Sequence, residues 1–82
     1  MTYKDYYQVL GVRSEASTEE IRAAYKKLAV QYHPDRNPGN QAAEDRFKEI
    51  SEAKEILLDP AHRQRYDALR QQYLYRQQMQ QQ

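Results

Sequence analysis

The chain predicts an all-α fold in which two long antiparallel helices are joined by a polar loop, with short helices at each end. Three observations carry this. Only two glycines and three prolines occur among 82 residues, and the chain is rich in the strong helix formers Ala, Leu, Glu, Lys, Arg and Gln. Apolar side chains recur at intervals of three and four, the period of one helix face. Capping sequences stand ahead of these runs, and no segment alternates as a strand would.

The first helix is predicted from about Asp5 to Leu10, with Asp5 as cap and Gln8 three residues on. Gly11 is the expected stop, because glycine takes the left-handed cap conformation without steric cost. Tyr6, Tyr7, Leu10 and Val12 supply the apolar material. Ser17-Thr18-Glu19-Glu20 reads as a capping box, in which the Ser17 hydroxyl and the Glu20 carboxylate satisfy free backbone N–H groups. The helix it starts carries Ile21, Ala24, Tyr25, Leu28, Ala29 and Tyr32 on one face. Pro34 disfavours helical geometry at His33, so this helix ends near Gln31 or Tyr32.

Asn40 caps a third helix that reaches about Leu57 or Leu58, with Ala43, Phe47, Ile50, Ala53 and Leu57 as its stripe. Two helices with one apolar face each and a short connection pack antiparallel. Asp59-Pro60 restarts the chain, with Pro60 at the first helical position where its missing N–H costs nothing. A fourth helix follows through Ala61 to Asp67. Tyr66, Leu69 and Tyr73 keep a partial helical period beyond it. Residues 69–82 form a glutamine-rich extension, partly helical and frayed over 77–82.

A chain of this length is one domain, and it buries only about 60% of its unfolded surface. Its 30% charged and 39% hydrophobic residues still allow unaided folding. The absence of cysteine excludes disulfides and thiolate metal sites. No apolar run approaches the ~20 residues of a membrane span, and the first five residues lack a signal peptide's apolar stretch. The expectation is a soluble cytoplasmic protein with no membrane contact. The net charge of +1 hides an uneven distribution. Arg22, Lys26 and Lys27 cluster in the second helix, whereas Glu44, Asp45, Glu49, Glu52 and Glu55 gather in the third.

His33-Pro34-Asp35 stands between these two helices. Proline fixes its own φ and biases its neighbour towards extended geometry, so the two polar side chains start partly preorganised. Preorganisation lowers the ordering cost of binding. Asp35 can accept paired hydrogen bonds from an arginine, and the His33 ring can donate or accept. Standing alone, the tripeptide is more simply a proline-containing helix exit. Three cations on a helix are, likewise, more simply a solvated face, and Tyr25 and Phe47 fit the core by periodicity. Arg63 and Arg65 with Tyr66-Asp67 fit a polar helix locked onto the bundle.

Taken together the motifs resemble the J-domain, the co-chaperone module of the DnaJ family that activates DnaK-type heat-shock ATPases. Asp5-Tyr6-Tyr7 with Leu10-Gly11-Val12 is similar to its opening, and Ile21-Arg22 with Ala24-Tyr25-Lys26-Lys27-Leu28-Ala29 to its second helix. His33-Pro34-Asp35-Arg36-Asn37 matches its loop. Phe47-Lys48-Glu49-Ile50 with Ala53 and Glu55-Ile56-Leu57 resembles its third helix, and Asp59-Pro60 with Arg63 and Tyr66-Asp67 its fourth. The resemblance covers about residues 3–68, in order and without gaps.

This resemblance implies a four-helix J-domain over 3–68 that binds a DnaK-type chaperone and stimulates its ATP hydrolysis, with no cofactor, metal or catalysis of its own. His33, Pro34 and Asp35 would couple to the partner's ATPase, and Arg22, Lys26 and Lys27 would face an acidic patch. Tyr25, Arg36, Asn37, Phe47 and Lys48 would add contacts around the loop. Clients would be engaged only by regions outside the domain, and the glutamine run suggests the N-terminal fragment of a longer bacterial protein. Three features depart from the family pattern: Gln31 where a further cation is common, Lys54 where an aromatic is common, and no Gly/Phe-rich linker after Asp67.

Other functions fit less of the sequence. A hydrolase built on His33 and Asp35 lacks a nucleophile motif and a cleft, and two ligands do not make a metal site. A small basic helical nucleic-acid-binding domain is the alternative, and DNA remains a conceivable partner of the basic helix. Against it stand Glu19 and Glu20 in the same helix and the acidity of the third. A scaffold-docking domain without effect on an ATPase is the remaining reading.

Overall fold

The computed structural model describes residues 3–80 as four α-helices: Tyr6–Leu10 (α1), Thr18–Gln31 (α2), Gln41–Leu57 (α3) and Pro60–Gln80 (α4). Each start is set by a side chain that the sequence places there. The Asp5 carboxylate accepts from the Gln8 N–H at 3.1 Å. Ser17 and Glu20 form a reciprocal capping box, both bonds 3.1 Å long. The Asn40 amide oxygen accepts from the Ala43 N–H, and Asp59 accepts from those of Ala61 and His62. Gly11 ends α1 at φ 69°, a conformation in which a Cβ would crowd the following carbonyl.

α2 and α3 form the antiparallel hairpin; α1 lies along α3, from Glu52 to Arg46, and α4 packs against α3 from the end remote from the loop. The core is small. Ile21, Ile50 and Leu57 are fully buried, surrounded by Tyr7, Leu10, Ala53 and Tyr66. Val9 and Ala16 are also buried, although no helical stripe marks them: α1 packs on α3, and the turn after it is held by Arg63 of α4.

Three polar side chains bind the short elements to this core. Arg63 donates to the carbonyl of Ala16 at 2.7 Å, to that of Ser14 at 3.3 Å and to the Tyr7 hydroxyl at 3.1 Å. The Tyr66 hydroxyl accepts from the Tyr6 N–H at 3.0 Å and donates to the Lys4 carbonyl at 2.6 Å. The Tyr7 hydroxyl donates to Asp67 at 2.5 Å. Burial, the leading cause in both cases, pushes the Tyr7 and Tyr66 phenols above their usual range.

Two outcomes differ from the expectations. Phe47, placed in the core by its period, is half-buried and lies outside the central cluster. It sits in the first half of α3, where the ring meets the loop rather than the core. α4 is not a short end helix but the longest of the four, 21 residues running on through 77–80 in place of the expected fraying; glutamine is a good helix former and no proline or glycine interrupts it. Residues 81 and 82 of that expectation lie outside the described residues.

Candidate loop and basic-face site

The hairpin loop is held by its own backbone and by Asn37. The N–H groups of Arg36 and Asn37 both bond the His33 carbonyl, at 3.0 and 3.1 Å. The Asn37 amide donates to the carbonyls of Gln31 and His33, at 2.9 and 3.0 Å. These are acceptors that the end of a helix leaves without an intrahelical partner. Asn37, expected as a contact residue, is therefore also the clamp that closes the loop onto α2.

His33 is oriented from two sides. Its Nδ1 accepts from the Asp35 N–H at 3.1 Å, which assigns the proton of the neutral ring to Nε2 and points a donor outwards. Its ring stands edge-on against Phe47, centroids 5.6 Å apart and planes at 82°, a favoured aromatic geometry. Nδ1 also lies 3.8 Å from an Asp35 carboxylate oxygen. That separation makes an ion pair only when Nδ1 carries a proton, and the Asp35 N–H already occupies its lone pair. The Asp35 carboxylate, 92% exposed, is thus open to a partner, beside an exposed Pro34.

The expected basic residues lie on the outer side of α2. Arg22, Lys26 and Lys27 are exposed, as is Arg36 in the loop. None has a carboxylate within ion-pair distance among the described residues. Arg36, Lys27 and Asn37 line a shallow groove with Val30 and Gln31. Val30 is 55% exposed, opposite the apolar stripe, and places a hydrophobic contact among the cations. Its sequence signal is an apolar residue at the wrong helical phase, off the stripe of α2.

The other two expected contacts are less free. Tyr25 is half-buried at the edge of the core, with the Lys54 ammonium 4.9 Å from its ring centroid. Lys54 thus takes part in packing where an aromatic is common. Lys48 is exposed and lies 3.8 Å from Glu44. Arg46, which sequence reasoning missed, bonds the Val9 carbonyl at 3.3 Å and lies 5.9 Å from the Tyr32 ring centroid. It fixes α3 against α1 beneath the loop; a cation directly before a stripe aromatic was the available signal.

His33 and Asp35 sit on an open loop, whereas acid–base chemistry needs groups converging on a substrate in a cleft. Among the described residues no group of three His, Asp or Glu side chains is placed to hold a metal ion, and no helix is long and apolar enough to cross a membrane.

The model of the DnaJ domain family matches residues 5–67. A DnaJ-like protein of Synechocystis is 62% identical over 65 residues, covering 79% of this chain and 20% of that protein. The chaperone protein DnaJ of Chlamydia pneumoniae is 64% identical over 63 residues, covering 77% of this chain and 16% of that protein. The chain therefore spans a fifth or less of the length of these relatives. The solved J-domain of human DnaJ subfamily C member 12 superposes with a TM-score of 0.76 at 37% identity, over 89% of this chain and 70% of that one. The J-Trx1 fragment of ERdj5 gives 0.75 at 45%, over 80% of this chain and 32% of that one.

Proposed function

Because the chain belongs to the DnaJ domain family, we propose that it binds a DnaK-type chaperone and stimulates its ATP hydrolysis in the cytoplasm. The observation that carries this reading is the His33-Pro34-Asp35 loop, internally hydrogen-bonded and exposed beside a face of unpaired cations. Asp35 offers its carboxylate to an arginine of the partner, and His33 offers its Nε2 proton. Arg22, Lys26, Lys27 and Arg36 attract an acidic surface and speed encounter. Tyr25, Asn37, Phe47 and Lys48 support or border this surface.

The domain performs no chemistry of its own in this reading. It accelerates the partner by binding its hydrolysis-competent state better than its resting state, the only way a ligand shifts such an equilibrium. Clients are contacted by regions outside the domain.

Single-turnover hydrolysis of ATP by a bacterial DnaK tests the proposal. The wild-type chain accelerates it, and His33→Gln and Asp35→Asn lose the acceleration while keeping helicity and Tm, since both side chains are exposed. Equal acceleration by all three proteins refutes it.

A further inference from the structure

The end of the bundle remote from the loop carries a groove that the proposed function does not use. Tyr3 stacks on Tyr73 at 4.1 Å and lies parallel to Tyr66 at 6.2 Å. With Ile56 and Leu69 they line a groove of about 440 Å³, within the usual range of ligand pockets. Leu69 and Tyr73 are 51% and 38% exposed, so the apolar lining is open to a ligand. From Asn40 to Ile56, α3 spans about 24 Å, which separates this groove from the loop.

Its charge is one-sided. Lys4, His62, Arg65 and Arg76 line it, and no aspartate or glutamate does. Lys4 is already paired with Glu52 at 3.0 Å, and His62 lies 3.9 Å from Asp59. Arg65 and Arg76 have no carboxylate within ion-pair distance among the described residues. They stand three turns apart on one face of α4, about 16 Å by helix rise.

We propose that this groove binds a short acidic peptide segment, extended along α4. Its two carboxylates meet Arg65 and Arg76, and the apolar side chains between them cover Leu69 and Tyr73. Seven extended residues place their end side chains about 20 Å apart, and the flexible arginine and glutamate side chains take up the difference. A second copy of the chain fits worse, because antiparallel pairing through this face sets Arg65 of one α4 beside Arg76 of the other with no acid to offset them. A single nucleic-acid strand fits worse too. It carries a phosphate at every nucleotide and calls for a continuous basic track, whereas the two free cations stand three turns apart.

The probe is an end-blocked heptapeptide with glutamate at both ends, leucine and phenylalanine at its third and fifth positions, and serine between. All four larger side chains then fall on one face of an extended strand. Titrated into the ¹⁵N-labelled chain, it is expected to give saturable shifts at the amides of Leu69, Gln72 and Tyr73, leaving those of Lys26 and Asp35 unmoved. Arg65→Glu with Arg76→Glu should weaken binding at least tenfold, with helicity checked by circular dichroism. Should the double variant lose helicity, Arg76→Glu alone should weaken it at least threefold. The same peptide with lysine ends should not bind. Absence of saturable shifts, equal binding of the lysine peptide, or indifference of the folded variant overturns the proposal. Tighter binding of a twelve-nucleotide oligothymidylate at the same amides also overturns it, in favour of nucleic acid. Loss of ATPase stimulation in the His33 and Asp35 variants leaves this result untouched, so the two readings fail separately.

Discussion

Replacing Arg63 by methionine should destabilise the domain by about 3 kcal/mol. The 2.7 Å bond to the Ala16 carbonyl is charge-assisted and contributes about 1.5–3 kcal/mol. The 3.3 Å bond to Ser14 adds about 0.5 kcal/mol, at the low end of the net range. Contact of the guanidinium with the Tyr7 ring, 5.5 Å from its centroid, adds about 0.5–1 kcal/mol. The Asp67 pair at 3.9 Å adds little, because Asp67 is partly solvated. These contributions share one side chain and do not add strictly. A domain of this size has about 4–12 kcal/mol in total, so the loss is a large fraction of it. Urea unfolding followed by circular dichroism should show a lower midpoint at unchanged slope, and Tm should fall by at least about 12 °C. Arg63→Lys should recover less than half, since an ammonium cannot reproduce the fork that reaches two carbonyls and a hydroxyl. A loss under about 1 kcal/mol, or full recovery by lysine, refutes the account of Arg63 as the tie between α4 and the segment joining α1 to α2.

Arg22→Glu with Lys26→Glu should weaken association with a DnaK-type partner at least tenfold at low ionic strength and much less near 1 M salt, where the Debye length falls to about 3 Å. A loss independent of salt, measured by surface plasmon resonance, would point to a folding defect instead. The carboxyls of Glu20 and Asp59 are held below their usual range by the backbone N–H groups of Ser17 and His62 respectively. A lowered folded pKa gives stability that is present above the unfolded value, about 4, and is lost as pH falls through the folded value. Fraying at the starts of α2 and α4 should therefore appear in amide hydrogen exchange below about pH 4, and Asp59→Asn should remove the α4 part of that dependence. The raised Tyr7 and Tyr66 phenols act at the other limit. Their contribution is present below about pH 10 and is lost as pH rises through the folded values, so alkaline unfolding should begin above that point.

The helices themselves were legible because their signals are local. A cap lies within three residues of the group it satisfies, and Gly11 and Pro34 act on their own dihedrals and those of a neighbour. The same locality made the loop legible: His33, Pro34 and Asp35 are adjacent, and the Asp35 N–H reaches the His33 ring across two residues. The unpaired state of Arg22, Lys26 and Lys27 was not legible, because it depends on where the acids of α3 fall. Phe47 shows the boundary well. Its period places it on the inner face of α3, yet only the antiparallel register of α2 and α3 decides that the ring meets His33 instead of the core.

By itself, then, the sequence determined the all-α class, the four helix starts and the exposed tripeptide between two amphipathic helices. Tertiary structure alone decided that Arg63 reaches the carbonyls of Ser14 and Ala16 across more than 45 residues, and that Tyr66 closes on Lys4 and Tyr6. It alone brought Tyr3 onto Tyr73 and set four basic side chains around one groove. The physical reason is separation along the chain. Propensity, capping and periodicity act within about one turn of helix, whereas these contacts exist only once burial of Ile21, Ile50 and Leu57 has brought distant segments together.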